Sequence, residues 1–239
     1  MKSTPLLADV ILDQYPEVLH VRSTVPLAIV SSAVVGGDLT MARHILNLHV
    51  PKDYTDGDHV ARLRAAATAL GIIEPCVGLL TAAWLDWAEV VSETAEEIRA
   101  AVVATVGISH PTAAGVTPAA RPYRQLRPAG TINLILVLDA RLSPPARVNL
   151  VMTATEAKTL ALVEAGVRAP HGGPASGTGT DAIVVASTER GPLHEYAGPV
   201  APVGALVGRL VRRAMQAAIA AWRPDQPPRR GGRPLDASQ

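Results

Sequence analysis

Residues 131–139, TINLILVLD, set the fold class that this sequence predicts. The run is almost entirely apolar, which is typical of a strand buried on both faces. Ser143 and Pro144 follow as a helix N-cap and a first helical residue, so a helix begins soon after the strand. A second apolar run at 181–187 and a second helical pattern at 202–222 repeat this order. Strand, helix, strand, helix predicts a layered α/β fold in a single domain.

The first half of the chain gives weaker indications of secondary structure. Asp58 is a suitable N-cap and Gly71 a suitable left-handed stop, and together they bound a helix at 58–70. The apolar pattern at 89–106 fits a helix, strands or both. Strands are predicted at 25–35 and at 43–50, and residues 76–83 form another apolar run.

The composition excludes several classes of protein. Of the 239 residues, 48% are hydrophobic and 18% charged, so most of the chain should pack into a core. The net charge of +1 is far below that of a typical nucleic-acid binder of this size. Phe is absent and aromatic residues make up 3%, which predicts no aromatic platform for stacking bases. Cys76 is the single cysteine, which excludes a disulfide framework and a multi-cysteine metal site.

The apolar stretch 203–222 is interrupted by Arg209, Arg212 and Arg213, which are costly in lipid. The N-terminus lacks the basic-then-apolar pattern of a signal peptide. We therefore expect no membrane association and a cytoplasmic protein. The segment 223–239 is rich in Pro, Gly and Arg, which predicts a disordered tail after a domain at 1–222. The oligomeric state stays open, and a homo-oligomer is one alternative.

The first candidate for chemistry is the string HVPKDY at 49–54, at the end of a predicted strand. His49 could act as a base, Lys52 as a cation for a phosphate or a developing oxyanion, and Asp53 as an orienting carboxylate. A polar turn that only ends the strand is the alternative.

The second candidate is GTIN at 130–133. Thr131 and Asn133 share one face of their strand, where a hydroxyl beside an amide could supply a nucleophile and an oxyanion donor. A threonine chosen for its β-propensity explains the position equally well.

Two further candidates lie in the second half. Glu156 and Lys158 are two residues apart on the predicted helix, so they point apart and do not pair; ordinary exposed side chains are the alternative. The Gly-rich segment SGTGTD at 176–181 places Thr178, Thr180 and Asp181 before a buried strand. Its amides and hydroxyls could hold phosphate or amide oxygens, but it is neither a Walker A motif nor a dinucleotide fingerprint.

These strings, in this order, resemble the adenosylcobinamide amidohydrolase family (CbiZ-type). The resemblance covers about residues 24 to 215. The strings that carry it are SSA at 31–33 with Gly36-Gly37, HVPKDY at 49–54, GLLTAA at 78–83, VGISHP at 106–111, GTIN at 130–133 with LSP at 142–144, TEAK at 155–158, GTGTD at 177–181 and YAGP at 196–199.

The resemblance implies a hydrolase that cleaves the amide joining the corrin ring to aminopropanol in adenosylcobinamide. The products are adenosylcobyric acid and 1-amino-2-propanol, and the corrin then re-enters cobalamin synthesis. The partner is thus a small-molecule corrinoid. Its cobalt belongs to the substrate, so the resemblance implies neither a cofactor nor a protein metal site.

For this reaction we expect acyl transfer at an amide, with roles for the candidate residues. Thr131, or a water held near it, attacks the carbonyl, while Asn133 and backbone amides at 177–180 hold the oxyanion. His49 or Asp181 transfers the proton. We expect the substrate-binding residues to be Lys52, Asp53, Glu156, Lys158, Thr178 and Thr180.

A weaker, partial resemblance concerns the self-processing DmpA and ornithine acetyltransferase class. It implies cleavage between Gly130 and Thr131, which would make Thr131 an N-terminal nucleophile. Three alternatives remain beside the corrinoid amidohydrolase. They are a hydrolase or acyltransferase for another amide, a corrinoid-binding protein without catalysis, and a phosphate-binding module built on residues 177–181.

Overall fold

The strand predicted from TINLILVLD lies at the centre of the molecule as β9, Ile132–Asp139. It pairs in parallel with β12, Ala182–Ser187, and antiparallel with β7, Ile98–Val106. Its residues are buried up to Leu138, and only Asp139 is partly exposed. The central sheet is therefore mixed, and the predicted α/β fold is confirmed.

The computed structural model describes residues 1–52, 54, 58–119 and 130–223. Within these ranges the main sheet has nine strands, and two short strand pairs accompany it. The remaining strands are β1 Lys2–Leu7, β2 Val10–Gln14, β3 Val18–Ser31, β4 Met41–His49, β5 Val77–Thr81, β6 Glu89–Ala95, β8 Pro111–Thr112, β10 Arg141–Leu142, β11 Gly177–Thr178 and β13 Leu193–His194. The α-helices are α1 His59–Ala69, α2 Pro144–Glu164 and α3 Pro202–Ala221, and a short 3-10 helix spans Leu85–Trp87.

The main sheet runs in the order β1-β2-β3-β12-β9-β7-β6. The long strand β3 pairs with β2 through its first half and with β12 through its end. On its other edge β3 pairs with β4, and β4 in turn pairs in parallel with β5. This arrangement brings the ends of β4 and β5 close to the start of β9, where the candidate site lies.

The two faces of β9 belong to two different cores. Leu134, Leu136 and Leu138 pack with residues of α2 and α3. Ile135 and Val137 face the other way and pack with residues of β1, β2 and β3. Because side chains alternate along a strand, burial on both faces explains why this stretch is apolar almost without interruption.

The predicted helix ends are confirmed. Asp58 caps α1 through a 2.7 Å hydrogen bond from the Ala61 amide, and the Ser143 hydroxyl accepts a 3.1 Å bond from the Ala146 amide at the start of α2. Gly71 and Gly166 follow α1 and α2 with φ of +71° and +69°, in the left-handed region that favours glycine. Local capping chemistry therefore sets these boundaries.

Of the alternatives left open for residues 89–106, the structure has strands. They form the antiparallel strands β6 and β7, joined by a tight turn in which Glu96 has φ of +54°. One expectation needs correction. The strand expected at 25–35 begins earlier, at Val18, because it extends along β2. The β1–β2 hairpin was not predicted. The tail expected at 223–239 lies outside the described residues except for Arg223.

The described helices include none with the length and hydropathy needed to cross a membrane.

Two histidines meet on β3 and β4. His20 is 5% exposed, and its Nε2 lies 3.0 Å from Nδ1 of His44. Burial, reinforced by the charge of His44, lowers the pKa of His20 to about 4. Burial also lowers the pKa of His44. Burial therefore disfavours protonation of both rings, which share one hydrogen bond.

The His20 pair should make stability depend on pH. An unfolded histidine titrates near 6.5, so protons favour the unfolded chain once the pH falls below that value. We expect the contribution of His20 to the free energy of unfolding to be complete above pH 6.5 and to fall towards pH 4, by about 3 kcal/mol in total. Urea unfolding between pH 4 and 7.5 measures this free energy for the wild type and for His20→Gln. On acidification the wild type should lose more stability than the variant. His171→Gln, at an exposed position, should keep the wild-type slope; equal slopes for His20→Gln and wild type would contradict the prediction.

Candidate active site

The candidate strings meet at one end of the sheet because of the mixed strand directions. His49 at the end of β4 pairs with Thr81 at the end of β5. The start of β9 lies beside the end of β7, since Ile132 pairs with Val106 in an antiparallel ladder. The ends of β4, β5 and β7 and the start of β9 therefore lie at the same end of the sheet, and polar residues from both halves of the chain meet there.

The Asp181 carboxylate joins three of the strings. Its Oδ1 accepts a 3.1 Å hydrogen bond from the Ile132 amide and a 2.5 Å bond from the Thr178 hydroxyl. Its Oδ2 accepts a 3.1 Å hydrogen bond from the Thr178 amide and forms an ion pair with the Lys158 ammonium. A carboxylate offers about four acceptor positions, so these four donors occupy it fully. GTIN, TEAK and GTGTD thus converge on one side chain.

Lys158 is a buried cation, with its side chain 7% exposed, against 13% for its partner Asp181. The alternative of an ordinary exposed lysine is therefore wrong. A Cβ at Gly177 would overlap the Asp181 carboxylate and the Lys158 ammonium, so only glycine lets the loop pass over the pair. The loop needs its glycine for this close approach.

Thr131 is 2% exposed, and its Oγ1 lies 2.5 Å from Oγ1 of Thr180. The residue before it, Gly130, has φ of +104°. A Cβ there would lie 3.0 Å from the His110 nitrogen and 3.1 Å from the Gly107 oxygen. Both the backbone conformation and the crowding require glycine. The conformation of Gly130 and the contact with Thr180 therefore fix the position of the Thr131 hydroxyl.

Asn133 lies in a buried polar network between strands. Its Nδ2 donates to Oδ1 of Asn47 at 2.9 Å and to the Leu80 carbonyl at 2.8 Å, while Asn47 donates to the Thr105 hydroxyl at 2.9 Å. Both amide hydrogens of Asn133 are therefore engaged inside the protein. Its Oδ1 is buried and has no hydrogen-bond partner among the described residues.

His49 is held by two contacts. Its Nδ1 lies 3.0 Å from the Ala83 carbonyl, and its ring stacks on Trp84 with centroids 4.9 Å apart and planes 22° apart. Because a carbonyl only accepts, Nδ1 donates in this contact, which leaves Nε2 as the nitrogen that could act as a base. The two contacts therefore fix the orientation of the imidazole.

A pocket opens beside these groups. Ala83 and Trp84, which contact His49, line this pocket. Gly130, which precedes Thr131, lines it as well. Its other lining residues are Lys52, Ala82, Trp87, Val106, Gly107, Ser109, Trp222 and Arg223. In the described part of the chain, no three His, Cys, Asp or Glu side chains are grouped so that they could hold a metal ion.

The predicted site residues separate into groups. Lys52, His49 and Thr131 lie at or next to the pocket, whereas Asp181, Lys158, Thr178 and Thr180 form the cluster around the start of β9. Glu156 is exposed, and no described residue that lines the pocket comes from α2. Asp53 lies outside the described residues.

The tryptophans were not predicted as part of the site. Trp84, Trp87 and Trp222 are all the tryptophans of the chain, and all three line this pocket. The low aromatic content therefore did not exclude an aromatic surface, because the few rings are concentrated at one place. The repeated W-x-x-W at 84–87 was the available indication.

The Lys158–Asp181 pair should be essential to stability. Asp181→Asn or Lys158→Met leaves a buried charge without its partner, and each should lower the free energy of unfolding by about 3–5 kcal/mol. The double variant Lys158→Met/Asp181→Asn should lose less than the sum of the two, because no buried charge remains. Urea denaturation measures all three.

The matched control is Arg212→Met, which breaks the exposed pair with Glu164, whose side chains are 41% and 43% exposed. That loss should be about 0–1 kcal/mol. Additive losses in the double variant, or single losses as small as the control, would contradict the prediction.

Comparisons with known proteins agree with the predicted resemblance. The family model for adenosylcobinamide amidohydrolase (CbiZ) matches residues 6–227. The adenosylcobinamide amidohydrolase of Halobacterium salinarum is 34% identical over 188 residues, which cover 77% of this chain and 76% of that protein. The protein of the same name from Methanosarcina mazei is 31% identical over 197 residues, covering 79% of this chain and 88% of that protein.

Among solved structures, the crystal structure of the PH0078 protein from Pyrococcus horikoshii OT3 aligns with 85% of this chain and 77% of its own, at 12% identity and a TM-score of 0.46. The family model spans nearly the whole described chain, and both relatives match over most of their length. The chain belongs to the adenosylcobinamide amidohydrolase family.

Proposed function

We propose that this protein hydrolyses the amide between the corrin ring and aminopropanol of adenosylcobinamide. Water is consumed, and adenosylcobyric acid and 1-amino-2-propanol are released. Family membership supports the substrate and the bond. The structural observation that carries the proposal is a buried threonine hydroxyl on the residue after Gly130, which lines a pocket that is also bordered by the residues holding an oriented imidazole.

Thr131 is the proposed nucleophile. Its Oγ1 attacks the carbonyl carbon, the C–N bond breaks, and the amine leaves with a proton, giving an ester on Thr131. Water then cleaves the ester, which restores the hydroxyl and leaves the corrin carboxylate. The Thr180 hydroxyl, 2.5 Å away, orients Oγ1 for the attack. In the alternative route a water held at Thr131 attacks directly.

His49 is the proposed base. Its Nε2 takes the proton of the attacking hydroxyl or water and returns it to the leaving amine. Asp181 was the other candidate, but its oxygens already accept from four donors around the start of β9. We therefore assign to Asp181, Lys158 and Thr178 the positioning of Thr131 and its loop.

The oxyanion is assigned to Lys52 and to backbone amides of residues 177–180 other than Thr178, whose amide already donates to Asp181. Lys52 borders the pocket and carries the positive charge that a developing oxyanion needs. We assign no oxyanion contact to Asn133, because both of its amide hydrogens already bond to Asn47 and Leu80, and we assign it the positioning of β9. Substrate contacts by Asp53 and Glu156, a cytoplasmic location, the absence of a cofactor and a homo-oligomeric state stay predictions.

Removal of the Thr131 hydroxyl tests the nucleophile. Thr131→Ala should lower turnover of adenosylcobinamide by about 10³-fold or more while corrinoid binding persists, and Thr131→Ser should keep measurable activity. The assay is chromatography of the corrinoid with mass detection of adenosylcobyric acid. The intact mass of the protein reports at the same time whether the Gly130–Thr131 bond is cut.

The control for this variant is Thr155→Ala, since Thr155 is exposed on α2 and its hydroxyl bonds only within the helix, to the Val151 carbonyl. Near-normal turnover by Thr131→Ala would assign the attack to water. Binding without product by the wild type would instead support a corrinoid-binding protein.

Removal of the imidazole tests the base. His49→Gln should lower turnover by about 10²–10⁴-fold with little change in corrinoid binding, because proton transfer is lost and the pocket is kept. Initial rates with adenosylcobinamide measure the effect. His171→Gln serves as the control. A variant that keeps the wild-type rate would exclude His49 as the base.

A further inference from the structure

Two consecutive residues contact His49 from different directions. The Ala83 carbonyl lies 3.0 Å from Nδ1 at the edge of the imidazole, and the Trp84 indole stacks on its face, with centroids 4.9 Å apart and planes 22° apart. Thr81 at the end of β5 fixes this turn, because its buried hydroxyl accepts a 3.0 Å hydrogen bond from the Ala83 amide. The main sheet therefore places both the edge contact and the face contact.

The two contacts differ in their chemistry. The Ala83 carbonyl accepts a hydrogen bond from Nδ1, which the neutral ring can donate. The face of an indole is the negative part of its quadrupole, so it attracts a cation, and Trp does this more strongly than Tyr or Phe. Trp84 is half-buried beside the pocket, where less water competes with such an attraction. The face contact is therefore suited to a ring that becomes positively charged.

The proposed reaction places positive charge on His49 for a limited time. Nε2 takes the proton of the Thr131 hydroxyl as Oγ1 bonds to the carbonyl carbon, and the proton then passes to the leaving nitrogen as the C–N bond breaks. Between these two events the ring is an imidazolium. An interaction that is stronger in that state than in the resting enzyme lowers the barrier, whereas one of equal strength in both states does not.

We infer that the indole face of Trp84 stabilises the positive charge that develops on His49 during proton transfer. Trp84 is thus a positioning residue, which affects the reaction through His49. This inference rests on the proposed function, in which His49 is the base. It adds a residue that lies outside the sequence strings from which the catalytic residues were predicted.

A double-mutant cycle tests whether Trp84 acts through His49. Trp84→Leu should lower kcat for adenosylcobinamide by about 10-fold with little change in KM, because the lost attraction operates after the substrate has bound. In the His49→Gln background the same substitution should change kcat by less than about 2-fold, since no imidazolium forms there. Initial rates of adenosylcobyric acid formation over a range of substrate concentrations measure kcat and KM for the wild type and the three variants.

Trp87 supplies the matched control. It is the same residue type and lines the same pocket, but the described structure gives its ring no stack on His49. Trp87→Leu should therefore change kcat by the same factor in the wild-type and His49→Gln backgrounds. Thermal unfolding identifies any variant that is not folded. Trp84→Phe, which keeps an aromatic face, should recover most of the rate that Trp84→Leu loses.

The charge distribution of the indole can also be varied at nearly constant shape. Tetrafluorotryptophan incorporated at position 84 keeps both rings but withdraws electrons from their faces, which removes most of the attraction for a cation. This protein should lose nearly as much kcat as Trp84→Leu. A role of Trp84 in packing alone would leave its kcat at the wild-type value.

The outcomes separate this inference from the proposed function. A loss confined to proteins that retain His49, together with a loss on fluorination, supports charge stabilisation by Trp84. Equal losses in both backgrounds, a rise in KM at unchanged kcat, or an unchanged kcat in Trp84→Leu would each overturn it. A coupled loss without an effect of fluorination would overturn it too, and would leave Trp84 only orienting the ring. Absence of adenosylcobyric acid from the wild-type reaction would instead overturn the proposed function, and this inference with it.

Discussion

The ion pair between Lys158 and Asp181 is the constraint on which the candidate site depends. One carboxylate receives the ammonium from α2, the hydroxyl and amide of Thr178, and the amide of Ile132 at the start of β9. A buried charge is tolerated only when it is paired and hydrogen-bonded, so these partners are fixed together. Because Thr131 directly precedes Ile132, the same carboxylate fixes the position of the proposed nucleophile.

Local rules explain which parts could be predicted from the sequence. The strand β9, the capped helix α2 and the family itself were predicted correctly, because burial runs, caps and short strings lie within a few residues. The pairing of Lys158 with Asp181 spans 23 residues and needs the tertiary fold. Helix spacing could show only that Lys158 points away from Glu156, and not that it points inward. The tryptophan pocket was missed for the same reason, since Trp222 meets Trp84 only after folding.

A second polar network supports the site from within the sheet. Asn47, Thr105 and Asn133 come from β4, β7 and β9 and bond to one another across an otherwise aliphatic interior. A shift of one residue in any of these strands would turn its polar side chain to the opposite face, and its partners would stay buried without hydrogen bonds. The network therefore fixes the relative position of the strands. His49 and Thr131 each lie two residues from a member of it, so their spacing is fixed as well.

Aliphatic and aromatic side chains occupy different places in the described part of this chain. Leu, Ile, Val and Ala build the two main cores on either side of β9, apart from one buried Met, while the tryptophans stand at the pocket. Aliphatic cores are maintained by volume and shape. Trp222 connects the two places, because it lines the pocket and also packs against the core that contains residues of α2 and α3. The pocket lining therefore depends on the packing of helices on the sheet, while the hydrogen bonds of Asp181 and Asn133 fix the start of β9 beside it.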